Sequence, residues 1–100
     1  MITETVLCAA YHFHDGKQHP HQPKNITTGF VVAGRMHHNI INTVVILSGL
    51  PMHHIGNGDH DDGFLTSTNR FVGREEAARI ALSAGQIAKP KPELYSEDLY

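Results

Sequence analysis

The sequence has little of what identifies several large protein classes. Its single cysteine, Cys8, excludes an internal disulfide framework and a cysteine-based zinc ribbon. Eight basic and 10 acidic residues give a net charge of −2, so no basic surface favours duplex DNA. No apolar run is long enough to cross a bilayer. The start of the chain, MITET, lacks the basic and apolar segments of a signal peptide, so we expect an intracellular, reducing location.

Histidine, in contrast, is abundant. Nine histidines lie within the first 60 positions, one more than lysine and arginine together. His12 and His14 would lie on one face of a strand, where Asp59, Asp61 or Asp62 could add oxygen ligands for a metal. No pair has the i, i+4 spacing of a helical metal site, and most of the histidines are typical of solvated loops. The sequence leaves a metal site open but assigns no metal ligand and no cofactor.

The pattern of apolar residues predicts short strands and two helices. Residues 6–13 and 28–33 are short runs rich in strand formers, and residues 63–72 have the pattern of a β-hairpin. Residues 35–47 and 74–84 carry apolar side chains at helical spacing, and each run is followed by a glycine that can end a helix. The predicted order is β-β-α-β-hairpin-α.

Two polar segments, residues 16–25 and 50–62, are predicted to be loops because they are rich in proline, glycine and histidine. The tail, residues 94–100, is apolar and aromatic enough that we expect it to dock on the core or on a neighbour. We therefore predict an α+β fold: a small single domain over residues 1–100, with a mostly antiparallel sheet and two helices.

Two segments could hold an anion. Arg35, His37 and His38 lie at a predicted helix start, where backbone N–H groups attract negative charge. The predicted hairpin tip, residues 66–69, carries hydroxyl and amide groups and is followed by Arg70 and then by a second helix start. An ordinary polar helix start and ordinary turn chemistry are the alternative interpretations. No Walker A or GxGxxG sequence is present.

Enzymatic function has little support in the residues. Cys8 has no motif around it, and no serine lies in a G-x-S-x-G context. Glu75 and Glu76 are explained by the first turn of a helix, where the helix dipole favours acidic side chains. We therefore expect a protein that is not an enzyme.

Three blocks, GFVVAGRMHHNII, GFLTSTNRFVGREEAARIALSAGQI and LYSEDLY, resemble a family of short phage and prophage proteins. The family is similar to the first-described type of Thoeris anti-defence protein. The resemblance implies sequestration of a cyclic ADP-ribose isomer without its degradation. It also implies binding of cyclic oligonucleotides in some relatives, assembly as dimers or higher oligomers, and action in the cytoplasm of the infected host cell.

The resemblance also implies a set of ligand-binding residues within the first two blocks. These are Arg35, His37, His38, Phe64, Thr66, Ser67, Asn69, Arg70, Phe71, Arg74 and Gln86. The arginines would contact phosphate, and the hydroxyl and amide groups would contact ribose or base. Asp61 and Asp62 depart from the family pattern and would repel a phosphate.

The resulting hypothesis is a phage anti-defence protein that sequesters a small cyclic nucleotide as a homo-oligomer, with no partner in duplex nucleic acid or membrane. A metal-dependent nucleotide-processing enzyme that uses the histidines is one alternative. A small protein-interaction module that uses the tail and the acidic loop is another. If His37 and His38 contact the ligand, binding would strengthen as the pH falls through about 6.5.

Overall fold

An antiparallel sheet forms the centre of the molecule in the computed structural model, which describes residues 3–100. Within these residues the sheet has four strands, in the spatial order β2-β1-β3-β4. The strands are β1 (Val6–His14), β2 (Phe30–Gly34), β3 (Asp59–Thr66) and β4 (Phe71–Gly73). Every strand pair is antiparallel, which confirms the predicted fold class.

Both α-helices pack on one face of this sheet. Helix α1 (His37–Ser48) contacts β1 and β2, and helix α2 (Arg74–Ser83) contacts β3 and β4. Alternate residues of β1 point toward them because side chains of a strand alternate between faces, so Ala9, Tyr11 and Phe13 are buried. Short 3₁₀ helices lie at Met52–His54 and Ser96–Leu99. No helix of the described residues is long and apolar enough to cross a membrane.

Strand β3 begins earlier than the sequence predicts. Asp59 to Asp62 belong to the strand, so the prediction of a loop over residues 50–62 is wrong at its end. Acidic residues are depleted in strands, and Asp59, His60, Asp61 and Asp62 are all exposed. They are strand residues because their backbone pairs with residues 11–14 of β1.

The long β1–β2 loop lacks regular structure over residues 16–25, as predicted, and crosses to the far edge of the sheet. The Lys24 backbone N–H donates to the Asn69 carbonyl at 2.9 Å. The Asn25 side chain bonds both the N–H and the C=O of Phe71, at 2.9 and 2.7 Å. These bonds occupy backbone groups on the free edge of β4, which would otherwise invite another strand.

The C-terminal tail docks on the core, which confirms the expectation for residues 94–100. Leu94 is fully buried, and Leu99 packs against the core cluster. The Leu94 N–H donates to the carbonyl of Arg74 at 3.0 Å. The tail therefore begins beside the first residue of α2.

Candidate functional site

The structure does not bring the eleven predicted ligand-binding residues into one site. Four of them, Arg35, His37, His38 and Arg74, lie where α1 and α2 begin. Thr66, Ser67, Asn69 and Arg70 form the β3–β4 hairpin turn and its C-terminal flank. Phe64, Phe71 and Gln86 lie in three further environments.

Three of the first group, His37, His38 and Arg74, meet the tail in a cleft of about 90 Å³, called here the tail cleft. Its lining residues are Met36, His37, His38, Arg74, Tyr95, Ser96 and Glu97. Helix α1 has no acidic residue in its first turn, so the positive end of its dipole is not neutralised there by its own side chains. Arginine, histidine and tyrosine side chains thus surround a helix start, an arrangement that suits an anionic or aromatic ligand.

His37 is a buried support of this cleft. Its Nε2 lies 2.8 Å from the carbonyl oxygen of Gly63, to which it donates, and its Nδ1 lies 2.5 Å from the Ser96 hydroxyl. Its ring also packs edge-on against Tyr11 and Phe64. Burial lowers the pKa of His37, so it stays neutral at lower pH than an ordinary imidazole. The gain of positive charge that the sequence predicts near pH 6.5 is therefore shifted to lower pH at His37. His38 lies exposed at the same helix start.

Arg74 connects the cleft to the sheet and the tail. Its Nε donates to Asp62 at 2.8 Å, its Nη1 donates to the Leu94 carbonyl at 2.8 Å, and its Nη2 lies 3.5 Å from Nδ1 of His37. Burial opposes the ionisation of Asp62, but the hydrogen bond and charge of Arg74 outweigh it and hold the pKa of Asp62 below its usual range. The acidic residue expected to repel a phosphate is thus paired with an arginine of the cleft.

Two tyrosines of the tail extend the site, and the sequence-based residue set does not include them. The Arg74 guanidinium lies 5.0 Å from the ring centroid of Tyr95, and that of Arg35 lies 5.0 Å from Tyr100. Both tyrosines are about half exposed. The signal for them was the aromatic tail, which the sequence analysis interpreted as a docking segment.

The hairpin group surrounds an anion that belongs to the chain itself. The carboxylate of Glu4 accepts hydrogen bonds from Thr66 at 2.6 Å, from Thr68, and from Arg70 at 2.9 and 2.7 Å. Bonds from Arg70 and the two threonines lower the pKa of Glu4 to about 2. Hydroxyl and guanidinium groups at this turn therefore bind the carboxylate of Glu4, and their contact with a nucleotide ligand stays a prediction.

The other two residues of the hairpin group, Ser67 and Asn69, have roles in the backbone structure. The Ser67 hydroxyl accepts from the Thr5 N–H at 2.8 Å, and the Ser67 N–H donates to the Thr5 carbonyl. Asn69 has a φ of 61°, a left-handed conformation that asparagine tolerates in turns.

The last three predicted residues, Phe64, Phe71 and Gln86, neither line the tail cleft nor bond to Glu4. Phe64 is fully buried in the core. Phe71 lies on the opposite sheet face, with its ring centroid 5.7 Å from that of His12. Gln86 bonds both the N–H and the C=O of Val6, at 2.8 and 2.7 Å, and so fixes the start of β1. Ligand contact by these residues stays a prediction.

Two larger clefts border α2, with volumes of about 400 and 350 Å³. The first is lined by Asp62, Gly73, Arg74, Glu75, Glu76, Arg79 and Glu93. Four carboxylates against two guanidinium groups make it a poorer place for a phosphate than the tail cleft. The second contains the Glu4–Arg70 pair already described.

One group of side chains could hold a metal ion among the described residues. His12, His14 and Asp61 each offer a ligand atom, and these atoms lie within 4.8 Å of one another. The group lies on the sheet face opposite the helices, apart from the tail cleft.

A protein-family model described as phage T4 y16D protein matches residues 5–100 of the chain. This match covers nearly the whole sequence, so the chain belongs to that family of phage proteins. None of the curated proteins and none of the solved structures matches the chain.

Proposed function

We propose that this phage protein binds a small cyclic nucleotide immune signal, a cyclic ADP-ribose isomer or a cyclic oligonucleotide, and sequesters it without degrading it. The protein would act as an anti-defence protein of the Thoeris-inhibitor kind, in the cytoplasm of the infected cell. Membership of a phage family and the resemblance of its three sequence blocks support this proposal.

The tail cleft carries the proposal. Arg74 and Tyr95 line it beside the start of α1, and Arg35, next to Met36 of the lining, lies over Tyr100. Guanidinium groups bind phosphate oxygens through directed, charge-assisted hydrogen bonds, and exposed tyrosine rings offer stacking surfaces to a base. A cyclic nucleotide carries both a phosphate and a base, whereas a simple anion would make no use of the tyrosine rings.

The volume of the cleft favours a homo-oligomer. Pockets that enclose small molecules measure roughly 300–1,000 Å³, and the tail cleft measures about 90 Å³. One copy of the chain would therefore cover only part of a cyclic nucleotide. A second copy would enclose the rest, and enclosure of this kind produces the slow release that sequestration needs.

The first experiment is isothermal titration with cyclic ADP-ribose isomers and with cyclic di- and trinucleotides. We expect tight binding of at least one of them and an affinity loss of about tenfold or more for Arg35→Ala, as for loss of a charge-assisted contact. Arg79→Ala is the matched control, since Arg79 is an exposed arginine that neither adjoins the tail cleft lining nor lies over Tyr95 or Tyr100. The absence of binding across the panel, or equal loss in both variants, would overturn the proposal.

A second experiment separates sequestration from hydrolysis. The complex is heated until the protein unfolds, and the released small molecule is identified by mass spectrometry. We expect the intact ligand. Recovery of a linear or cleaved product would instead assign an enzymatic activity to the protein.

A further inference from the structure

His12, His14 and Asp61 come together because of strand register. His12 and His14 are two residues apart on β1, so their side chains share one face of the sheet. Asp61 of β3 is the direct cross-strand partner of His12 and therefore lies on that same face. We propose that these three side chains bind one zinc ion, on the face opposite α1 and α2.

The ligand set has the composition that zinc prefers. Two imidazoles and one carboxylate are borderline and hard ligands that Zn²⁺ accepts, with water filling an open position. Nε2 of His14 lies 2.7 Å from Oδ2 of Asp61, and the His12 and His14 ring centroids are 4.2 Å apart. Ligand atoms that share a zinc ion lie about 2 Å from it, so the ion would replace the proton between His14 and Asp61.

The orientation of His12 is already fixed by the backbone. Its Nε2 lies 2.8 Å from the Thr28 carbonyl oxygen and donates to it. This bond leaves Nδ1 without a proton, the state in which imidazole binds a metal. A backbone carbonyl that orients a histidine in this way is a common outer partner of metal ligands.

Gly29 allows the β1–β2 loop to lie against the His12 ring. A Cβ atom at this position would lie 2.8 Å from Nε2 of His12 and 2.3 Å from the Phe13 carbonyl oxygen, and the φ of Gly29 is 81°. The ring of Phe71 covers another side of the His12 ring. The imidazole is therefore held by contacts from two other segments of the chain.

Solvent can deliver an ion to the site. The Asp61 side chain is 67% exposed and that of His14 is 38% exposed, so both can move by the small distance that coordination requires. A bound ion would join β1 to β3 directly and to the β1–β2 loop through Thr28. Zinc binding at this place is therefore expected to stabilise the fold.

The test uses the full chain, purified without a histidine tag and treated with a chelator. Zinc titrated by calorimetry is expected to bind with one equivalent, and cobalt is expected to give the absorption of a low-symmetry site. Asp61→Asn and His14→Gln should each weaken zinc binding by about tenfold or more. Zinc should also raise the melting temperature of the native protein but not that of Asp61→Asn.

Two controls address the other histidines and the loss of one acidic charge. His53→Gln combined with His54→Gln removes an exposed pair from the 3₁₀ helix at Met52–His54, and zinc affinity should stay within about twofold. Glu75→Gln removes one negative charge from an exposed position of α2, on the other face of the sheet, and should have an equally small effect. Equal losses in cluster and control variants, or no stoichiometric zinc binding, would overturn the proposal. Circular dichroism confirms that each variant is folded.

Discussion

The carboxylate of Glu4 shows at the residue scale how one side chain organises a turn. It accepts bonds from Thr66, Thr68 and Arg70, and Arg70 also donates to Glu76 at 3.1 Å. The threonines and Arg70 lie in a recognisable sequence block, but Glu4 lies more than 60 residues away from them. Only the fold shows that the anion bound at this turn is a carboxylate of the same chain.

Replacement of Glu4 should make the protein less stable in a pH-dependent way. Because the pKa of Glu4 is lowered from 4.5 to about 2, its ionised form stabilises the fold fully above about pH 4.5, and this stabilisation is lost as the pH falls toward 2. Glu4→Gln should lower the free energy of unfolding by about 1 kcal/mol at pH 7, the upper range for a partly exposed ion pair. The difference from the native protein should shrink below pH 4.

Urea denaturation at pH 7 and at pH 3 measures this difference. Glu75→Gln is the control because Glu75 is exposed on α2 and its change should cost only a few tenths of a kcal/mol. A Glu4→Gln effect of the same size at both pH values would show that the ionised carboxylate is not the source of the stability.

At the scale of elements, α2 could be predicted more accurately than β3. Helix α2 has acidic residues in its first turn, small apolar residues at Ala77 and Ala81, and a glycine after its end, all of which act locally. The predicted range, 74–84, therefore differs from Arg74–Ser83 by one residue. The first half of β3 has no apolar alternation that could predict a strand. It is a strand because its backbone pairs with β1.

Helix α1 has an apolar surface that one copy of the chain does not cover. Ile46 is 78% exposed and Leu47 is 82% exposed. Exposed apolar residues grouped on one helix are typical of association surfaces. This group lies toward the C-terminal end of α1, while the tail cleft lies at the N-terminal end, so one helix could serve both assembly and binding.

Lysine at both positions is therefore expected to lower the oligomeric state without unfolding the chain. Ile46→Lys with Leu47→Lys removes apolar surface that is already in water, and lysine has at least the helix propensity of isoleucine. Light scattering coupled to gel filtration gives the mass in solution. Leu82→Lys on α2 is the control, and an unchanged mass in the double variant would contradict this interface.

At the scale of the whole molecule, the sequence indicated some parts of the site but not their arrangement. Arg35, His37 and Arg74 were predicted because they lie at helix starts, a local feature. Tyr95 and Tyr100 were not, because their contact with the arginines depends on how the tail crosses the start of α2. The spacing of His12 and His14 already placed both on one face of β1, but the register of β1 against β3 was needed to select Asp61 among the three candidate aspartates.

If the proposed function is correct, the tail combines a structural role with a binding role, and single substitutions can separate the two. Leu94 is fully buried, so Leu94→Ala should lower the free energy of unfolding by about 2–5 kcal/mol. Tyr95 is 47% exposed, so Tyr95→Ala should change stability little. Its ring lies over Arg74, and loss of a stacking surface of this kind should weaken binding of a cyclic nucleotide about tenfold or more.

Urea denaturation and isothermal titration on both variants measure the two roles separately. Tyr95→Ala should stay folded and bind weakly, whereas Leu94→Ala, kept below its melting temperature, should bind in proportion to its folded fraction. If Tyr95→Ala binds as the native protein does, the tail contributes to the fold alone and the base must stack elsewhere. If both variants lose binding and stability together, docking of the tail and formation of the cleft are one cooperative event.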